Sequence, residues 1–81
     1  MPRVRVLYFA LVREKIGLAE EEVELPPDVG DVAGLRLLLA QTRPILAQAS
    51  VRAAVNQCFA QPYTPVGAGD EVAFFPPTTG G

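Results

Sequence analysis

The first apolar segment of the chain, VRVLYFALV from Val4, is rich in β-branched and aromatic residues and predicts a strand. Successive side chains of a strand alternate between its two faces. One face therefore carries Val4, Val6 and Tyr8, and the other carries Arg5, Leu7 and Phe9. Both faces become apolar towards Phe9.

The pattern changes over REKIG, where a short helical turn ending at Gly17 is expected. A second strand is predicted over EEEVEL, with Val23 and Leu25 inward and the alternate glutamates in water. Charged residues commonly protect the edge strand of a sheet, so we interpret this glutamate row as a solvated edge. The two prolines that follow end the strand.

The next segment, VAGLRLLLAQTR, predicts a helix with Asp31 as its N-cap. Gly34 weakens this helix by roughly 1 kcal/mol relative to alanine, and Pro44 ends it. The following residues, ILAQAS, are expected to add one further helical turn. The face of the main helix that packs on the sheet is predicted from its spacing to hold Val32, Leu35, Leu38, Leu39 and Thr42.

The segment VRAAVNQCFA predicts a hairpin whose two strands turn at Asn56 and Gln57. Asn tolerates the positive φ that such turns need, although Gln in place of Gly weakens the signal. GAGD predicts another turn, which leads into a last strand over residues 71–75. That strand turns Val72 and Phe74 inward and Ala73 and Phe75 outward.

The predicted order is strand, strand, helix, strand, short strand, strand, which indicates an α+β domain with one main helix packed on one face of the sheet. If the first and last strands lie side by side in a mixed sheet, the fold is a β-grasp. We expect residues 1–75 to form this domain and residues 76–81 to form an extended C-terminal tail.

Composition narrows the possible functions. The chain has 81 residues, about half of them apolar, and a net charge of −2, which fits one globular domain and gives no basic surface for nucleic acid. Arginines interrupt the N-terminal apolar residues and no apolar run is long enough to span a membrane, so we expect no signal peptide and no membrane segment. The absence of histidine excludes a histidine triad or a Cys/His zinc site in this chain.

The single cysteine, Cys58, excludes an internal disulfide framework and suits a cytoplasmic location. A lone cysteine in a strand is usually a small packed hydrophobe, and we interpret Cys58 in this way. The outward faces of the strands are predicted to share an apolar patch, which usually marks an interface unless a loop or a short helix covers it. Its expected members are Leu7, Phe9, Phe75 and, at its margin, Phe59.

The segment DEVAFFPPTTGG closes the sequence with two prolines, two threonines and two glycines. Pro76 and Pro77 favour extended backbone. Gly80 and Gly81 lack side chains, so the backbone there can pass through a narrow channel. Residues 76–81 could reach roughly 18–20 Å at about 3.1–3.3 Å per residue.

The segments VRVLYFALVRE, AAVNQ and above all GDEVAFFPPTTGG resemble the MoaD family, the ubiquitin-like small subunits of molybdopterin synthase. The resemblance covers nearly the whole chain and is poorest over residues 17–50. It implies that the Gly81 carboxylate is adenylated by an E1-like enzyme, MoeB, with ATP, and that sulfur then replaces AMP to leave a thiocarboxylate.

The resemblance further implies that the tail enters the large subunit, MoaE, in a heterotetramer and donates sulfur to cyclic pyranopterin monophosphate. The Gly81 carboxylate would then be the reactive group. Gly80, which has no side chain, would let the terminus enter a narrow site. The chain would take part in catalysis only as the small subunit of an enzyme. By itself it would be a carrier without catalytic side chains, a bound cofactor or a metal. The partner interface would comprise Leu7, Phe9, Phe59, Phe75, Pro76 and Pro77.

Three other functions remain open from the sequence. The same fold serves carriers for thiamin thiazole synthesis or tRNA thiolation, although GDEVAFFPP favours the MoaD family. A ubiquitin-like modifier that is conjugated to lysines would also need a diglycine end. A plain interaction module would leave the tail unmodified.

Overall fold

A computed structural model of the protein describes residues 2–77. The helices are α1 (Ala10–Ile16), α2 (Val32–Ala40) and a short 3-10 helix (Pro44–Ala47). The strands are β1 (Arg3–Tyr8), β2 (Glu20–Glu24), β3 (Arg52–Val55), β4 (Cys58–Phe59) and β5 (Glu71–Phe75).

The strands form one mixed five-stranded sheet in the order β2-β1-β5-β3-β4. The first and last strands lie side by side at its centre and run parallel, with Leu7 opposite Ala73 and Tyr8 opposite Phe74. The other neighbouring strands pair antiparallel. This arrangement confirms the predicted α+β class and the β-grasp topology.

The core lies between the inward face of the sheet and the helices. The predicted alternation is confirmed, because the inward residues of β1 and β5 are at most 1% exposed. From α2, the core receives Val32, Leu35 and Leu39. The fully buried side chains of the two central strands are Val4, Val6, Tyr8, Val72 and Phe74.

The first strand is shorter than predicted. It ends at Tyr8 and Phe9 is the N-cap of α1, whereas the apolar run had suggested a strand through Val12. Ala10, with φ of +52°, turns the chain out of the sheet. Val12 therefore lies in α1 and is buried there, so the end of the apolar run forms the buried face of a helix instead of a strand. The predicted helical end at Gly17 is confirmed, with φ of +87° and its N–H donating to the Arg13 carbonyl at 2.8 Å.

The second helix begins as predicted and ends early. The Gly34 N–H donates to the Asp31 side chain at 2.8 Å, which is an N-cap bond. A β-carbon at Gly34 would stand 3.2 Å from that same oxygen, which explains a glycine in this first turn. The prediction that Thr42 packs on the sheet is wrong, because α2 ends at Ala40 and Thr42 is exposed.

The predicted turn between β3 and β4 is confirmed. Asn56 and Gln57 have φ of +50° and +71°, as a two-residue hairpin turn requires. The Asn56 side chain accepts a hydrogen bond from the Glu71 N–H at 3.0 Å and donates to Asp70 at 3.1 Å. These bonds to the start of β5 hold a turn whose second residue, Gln57, is unfavourable by itself.

Arg36 of α2 covers the segment that leads into β3, which β4 does not reach. Its guanidinium donates to the carbonyl oxygens of Gln48 and Val51 and lies 5.8 Å from the centre of the Phe74 ring. Burial lowers the pKa of Arg36 below its ordinary value. The side chain therefore replaces the strand partner that the Val51 carbonyl would otherwise lack.

A polar cluster links β1, β2 and the end of the α2 region. The Tyr8 hydroxyl donates to Glu21 at 2.6 Å, and Arg43 donates to both Glu21 oxygens at 3.3 Å. Burial and the bond to Glu21 raise the pKa of Tyr8 above its ordinary value. Burial also acts to raise the pKa of Glu21, but the bonds from Tyr8 and Arg43 outweigh it and hold that pKa below 4.5.

Replacing Glu21 by Gln should lower the free energy of unfolding near neutral pH by about 1 kcal/mol, because a charge-assisted pair with Arg43 is lost. The folded pKa of Glu21 is depressed, so its contribution is complete above the ordinary value of 4.5 and is lost as the pH falls through the folded pKa. The difference between wild type and Glu21→Gln should therefore shrink as the pH is lowered below 4.5.

Chemical denaturation of both proteins across this pH range measures the difference. Glu14→Gln, at an exposed position on α1, is the control. A difference that does not shrink as the pH is lowered below 4.5, while both proteins remain folded, would contradict the assignment.

Candidate functional site

The outward face of the sheet carries an apolar groove of about 430 Å³, here called the sheet groove. It has a row of side chains that crosses four strands, because paired residues of neighbouring strands point to the same face. Leu7 lies opposite Ala73, Ala73 lies opposite Ala54, and Ala54 lies opposite Phe59. The two alanines form a low floor between larger side chains, which makes the surface concave. The remaining apolar walls are Phe9 and Phe75.

The sheet groove brings together all four residues of the predicted patch. Phe59 and Phe75 stack at a tilt, with ring centres 5.9 Å apart. Phe59 is 82% exposed and Phe9 is 46% exposed, while Leu7 and Phe75 are half-buried. Within residues 2–77, neither a loop nor α1 covers these side chains. Their role as a partner interface stays a prediction.

Charged residues flank the sheet groove on two sides. Glu71 lines one end, and Arg5 donates to Glu20 at 2.8 Å on the neighbouring strands. This hydrogen bond raises the pKa of Arg5 and lowers that of Glu20, although both side chains are about half exposed. Arg52 stands in register with Phe75 at the end where the chain leaves β5. The groove thus offers apolar area at its centre and polar groups at its margin, as a protein interface does.

The prediction that Cys58 is a packed hydrophobe is wrong, because this residue is exposed. Cys58 pairs with Val55, which in turn pairs with Val72, so it lies on the inward face of the sheet. The strand β4 is a two-residue edge strand that extends beyond the core, and nothing packs over its inward position. Sequence alternation identified the face, but the extent of the core decided the burial.

The other predicted interface residues, Pro76 and Pro77, follow β5 directly and are half-buried and exposed, respectively. They do not line the sheet groove. Gly80 and Gly81 lie outside the described residues, so the predicted terminal chemistry stays a prediction.

Residues 2–77 provide neither a metal site nor a membrane-spanning helix. No group of three or more metal-ligating side chains comes together in this part of the chain. None of the described helices is long and apolar enough to cross a membrane.

The sequence matches the model of the ThiS family over residues 6–81. The chain is 44% identical over 84 residues to the molybdopterin synthase sulfur carrier subunit of Mycobacterium tuberculosis, with 100% of both chains covered. It is 40% identical over 82 residues to the protein of the same name from Escherichia coli K12, which covers 96% of this chain and 99% of that protein. The first of these alignments spans the whole chain and therefore includes the sheet groove and the C-terminal segment.

Solved structures share this fold. One of them is a putative molybdopterin converting factor, subunit 1, from Pyrococcus furiosus. The TM-score is 0.83 at 30% identity, with 96% of this chain and 100% of that chain covered. The ubiquitin-like β-grasp is therefore shared with that structure.

Phe59 is exposed and Phe74 is buried, so the same substitution at the two positions tests the geometry of the site. Phe59→Asp should leave the free energy of unfolding nearly unchanged, because the ring is 82% exposed and a carboxylate there stays in water. Phe74→Asp should prevent folding, because Phe74 is 0% exposed. The change removes a core ring and takes a carboxylate out of water beside Arg36, whose guanidinium is already bound to backbone carbonyls. Circular dichroism and thermal unfolding of the two variants measure this contrast, and an unfolded Phe59→Asp protein would place that ring in the core instead.

Proposed function

The chain belongs to the ThiS family, and on this basis we propose that it is the sulfur carrier subunit of a molybdopterin synthase. The single observation that carries the proposal is the full-length similarity to sulfur carrier subunits at 40% and 44% identity. The shared β-grasp and the apolar sheet groove support it, since a subunit needs a surface for its partner.

The proposed chemistry takes place at the Gly81 carboxylate. A carboxylate is a poor electrophile because oxide is a poor leaving group. An E1-like partner of the MoeB type would join the carboxylate to the AMP of ATP and release pyrophosphate. Sulfur would then displace AMP from the acyl carbon and leave a thiocarboxylate, which is anionic and nucleophilic at neutral pH, as a thiolate is.

The partners would supply the catalytic side chains. The chain has no histidine, and its one cysteine lies on the sheet face opposite to the sheet groove. In this proposal the folded domain binds the partner and positions the tail, and the C-terminus carries the sulfur. The recipient would be cyclic pyranopterin monophosphate in the active site of a large subunit of the MoaE type, with two small and two large subunits in the assembly.

The geometry of β5 supports a division of labour between body and tail. The strand ends at Phe75, whose ring is a wall of the sheet groove, and the chain continues into Pro76 and Pro77. A partner that covers the groove therefore lies next to the start of the tail. Six residues can then extend roughly 18–20 Å into that partner.

Carriers for thiazole synthesis or tRNA thiolation would use the same fold and the same terminus. The names of the two curated relatives favour the molybdopterin pathway. Copurification separates the candidates, because a large subunit of molybdopterin synthase, a thiazole synthase or a tRNA thiolase would be recovered. Isopeptide-linked targets would instead indicate a protein modifier.

Deleting Gly81 should abolish sulfur transfer while leaving the fold and partner binding unchanged. The new carboxylate on Gly80 would stop about 3.3 Å short in an extended chain, and a displacement of even 1 Å can cost about a hundredfold in rate. Intact mass after incubation with the activating enzyme, ATP and a sulfur source detects the replacement of one oxygen by sulfur. Large-subunit binding and molybdopterin formation are measured on the same sample.

Cys58→Ser is the matched control and should keep full sulfur transfer, because the thiol does not carry the sulfur in this proposal. A truncated protein that forms a thiocarboxylate and makes molybdopterin at the normal rate would overturn the assignment of Gly81. Loss of thiocarboxylate formation in folded Cys58→Ser would do the same.

Phe75→Asp should abolish binding to the large subunit while the domain stays folded. A carboxylate buried without a partner in an apolar interface costs several kcal/mol. Calorimetric titration with the large subunit measures the affinity, and circular dichroism checks the fold. Unchanged affinity would show that the partner does not cover the sheet groove.

A further inference from the structure

A second groove, here called the helix groove, lies next to the sheet groove, on the other side of the Phe59 ring. It has a volume of about 570 Å³ and runs between α2 and the edge of the sheet formed by β3 and β4. Leu37 stands on its helical side and Phe59 on its sheet side. Phe59 also lines the sheet groove, so a single ring separates the two apolar surfaces.

The helix groove exists because β4 is so short. The strand pairs only with Ala54 and Val55, and the chain then leaves the sheet and crosses to the start of α2. There the Pro62 carbonyl accepts from the Ala33 N–H at 2.9 Å, and the Thr64 carbonyl accepts from the Val32 N–H at 3.0 Å. These bonds hold the crossing segment away from the first half of β3 and leave a gap over it.

Arg36 closes the floor of the gap. Its guanidinium is already bound to the carbonyl oxygens of Gln48 and Val51 and lies over Phe74. The floor is therefore held by bonds to the protein itself, and the walls stand on α2 and the sheet. A groove built in this way is formed before any partner arrives.

The rim of the helix groove holds unusually exposed apolar side chains. Leu37 is 71% exposed, Tyr63 is 78% exposed and Phe59 is 82% exposed. Among residues 2–77 these are the three most exposed large hydrophobic side chains, and Tyr63 follows directly on the lining residue Pro62. Large apolar side chains so exposed around one groove are typical of an interaction site.

The charge of the helix groove is opposite to that of the whole protein. Its lining includes Arg36 and Arg52 and no Asp or Glu, whereas the chain has a net charge of −2. Arg36 is committed to backbone carbonyls, and Arg52 is exposed on β3 and takes part in none of the salt bridges found within residues 2–77. Arg52 lines this groove and also stands in register with Phe75, so it favours a carboxylate on a partner that covers the junction of the two grooves.

We propose that the helix groove binds an extended apolar segment that carries a carboxylate side chain, supplied by the same large subunit that covers the sheet groove. This inference rests on the proposed function. Its basis is the continuity of the two surfaces at Phe59, whose ring lies 5.9 Å from that of Phe75. A partner that covers Phe75 contacts one side of the Phe59 ring. If the same partner extends around the edge of β4, it also buries the other side of that ring together with Leu37.

Leu37→Glu tests the apolar contact. The variant should stay folded, because Leu37 is 71% exposed, and should bind the large subunit at least about tenfold more weakly by calorimetric titration. Leu11→Glu is the matched control, since Leu11 is 51% exposed on α1 and lines neither groove. It should keep the wild-type affinity.

Arg52→Glu tests the charge at the junction of the two grooves, and Leu37→Glu alone separates the helix groove from the sheet groove. The affinity of Arg52→Glu for the large subunit should fall about tenfold at low salt, and the salt dependence of binding should become weaker, because an attraction between opposite charges is lost. Lys15→Glu makes the same change of charge on α1 and should have little effect. Equal losses for Arg52→Glu and Lys15→Glu would show a general effect of net charge and would overturn the proposed pairing.

The outcomes separate this inference from the proposed function. Weak binding of Phe75→Asp together with normal binding of Leu37→Glu would overturn the helix groove as part of the interface and leave the proposed function standing. Normal binding of both variants would remove the proposed interface as a whole. A loss of affinity of Leu37→Glu for the adenylating enzyme alone would overturn the large subunit as the occupant.

Discussion

The parallel pairing of the first strand with the last is the constraint on which the rest of the structure depends. It joins residues that are more than 60 positions apart in sequence, with Val6 opposite Val72 and Tyr8 opposite Phe74. Because these strands are central, their inward side chains form the middle of the core. The same pairing determines where the chain leaves the sheet, since β5 ends beside the strand with which the protein begins.

The two central strands also explain how so small a protein has a core and an apolar surface at once. Their inward residues are fully buried, whereas Leu7, Ala73 and Phe75 on the outward face line the sheet groove. Alternation makes this possible, because each strand contributes to both faces. The outward apolar residues add little to the core. We interpret their exposure as a sign that a partner protein binds this face.

Much of the fold and part of the candidate site could be predicted from local pattern. The strand alternation, the N-cap at Asp31 and the turn at Asn56 depend on neighbours in sequence, and all of them are present. Two errors arose where an apolar or helical pattern continued past its element, at Val12 and Thr42. Periodicity shows which face a residue would occupy, but the end of an element depends on tertiary contacts.

The sequence by itself determined the fold class, the outward position of the apolar patch and the family, because hydrophobic period and motif are properties of the chain. Only the tertiary structure decided that Cys58 is exposed, that Arg36 covers the Val51 carbonyl and that a second groove lies beside Phe59. Each of these depends on how far β4 extends past the core and where α2 crosses the sheet. Such distances between elements are set by packing, and no local pattern encodes them.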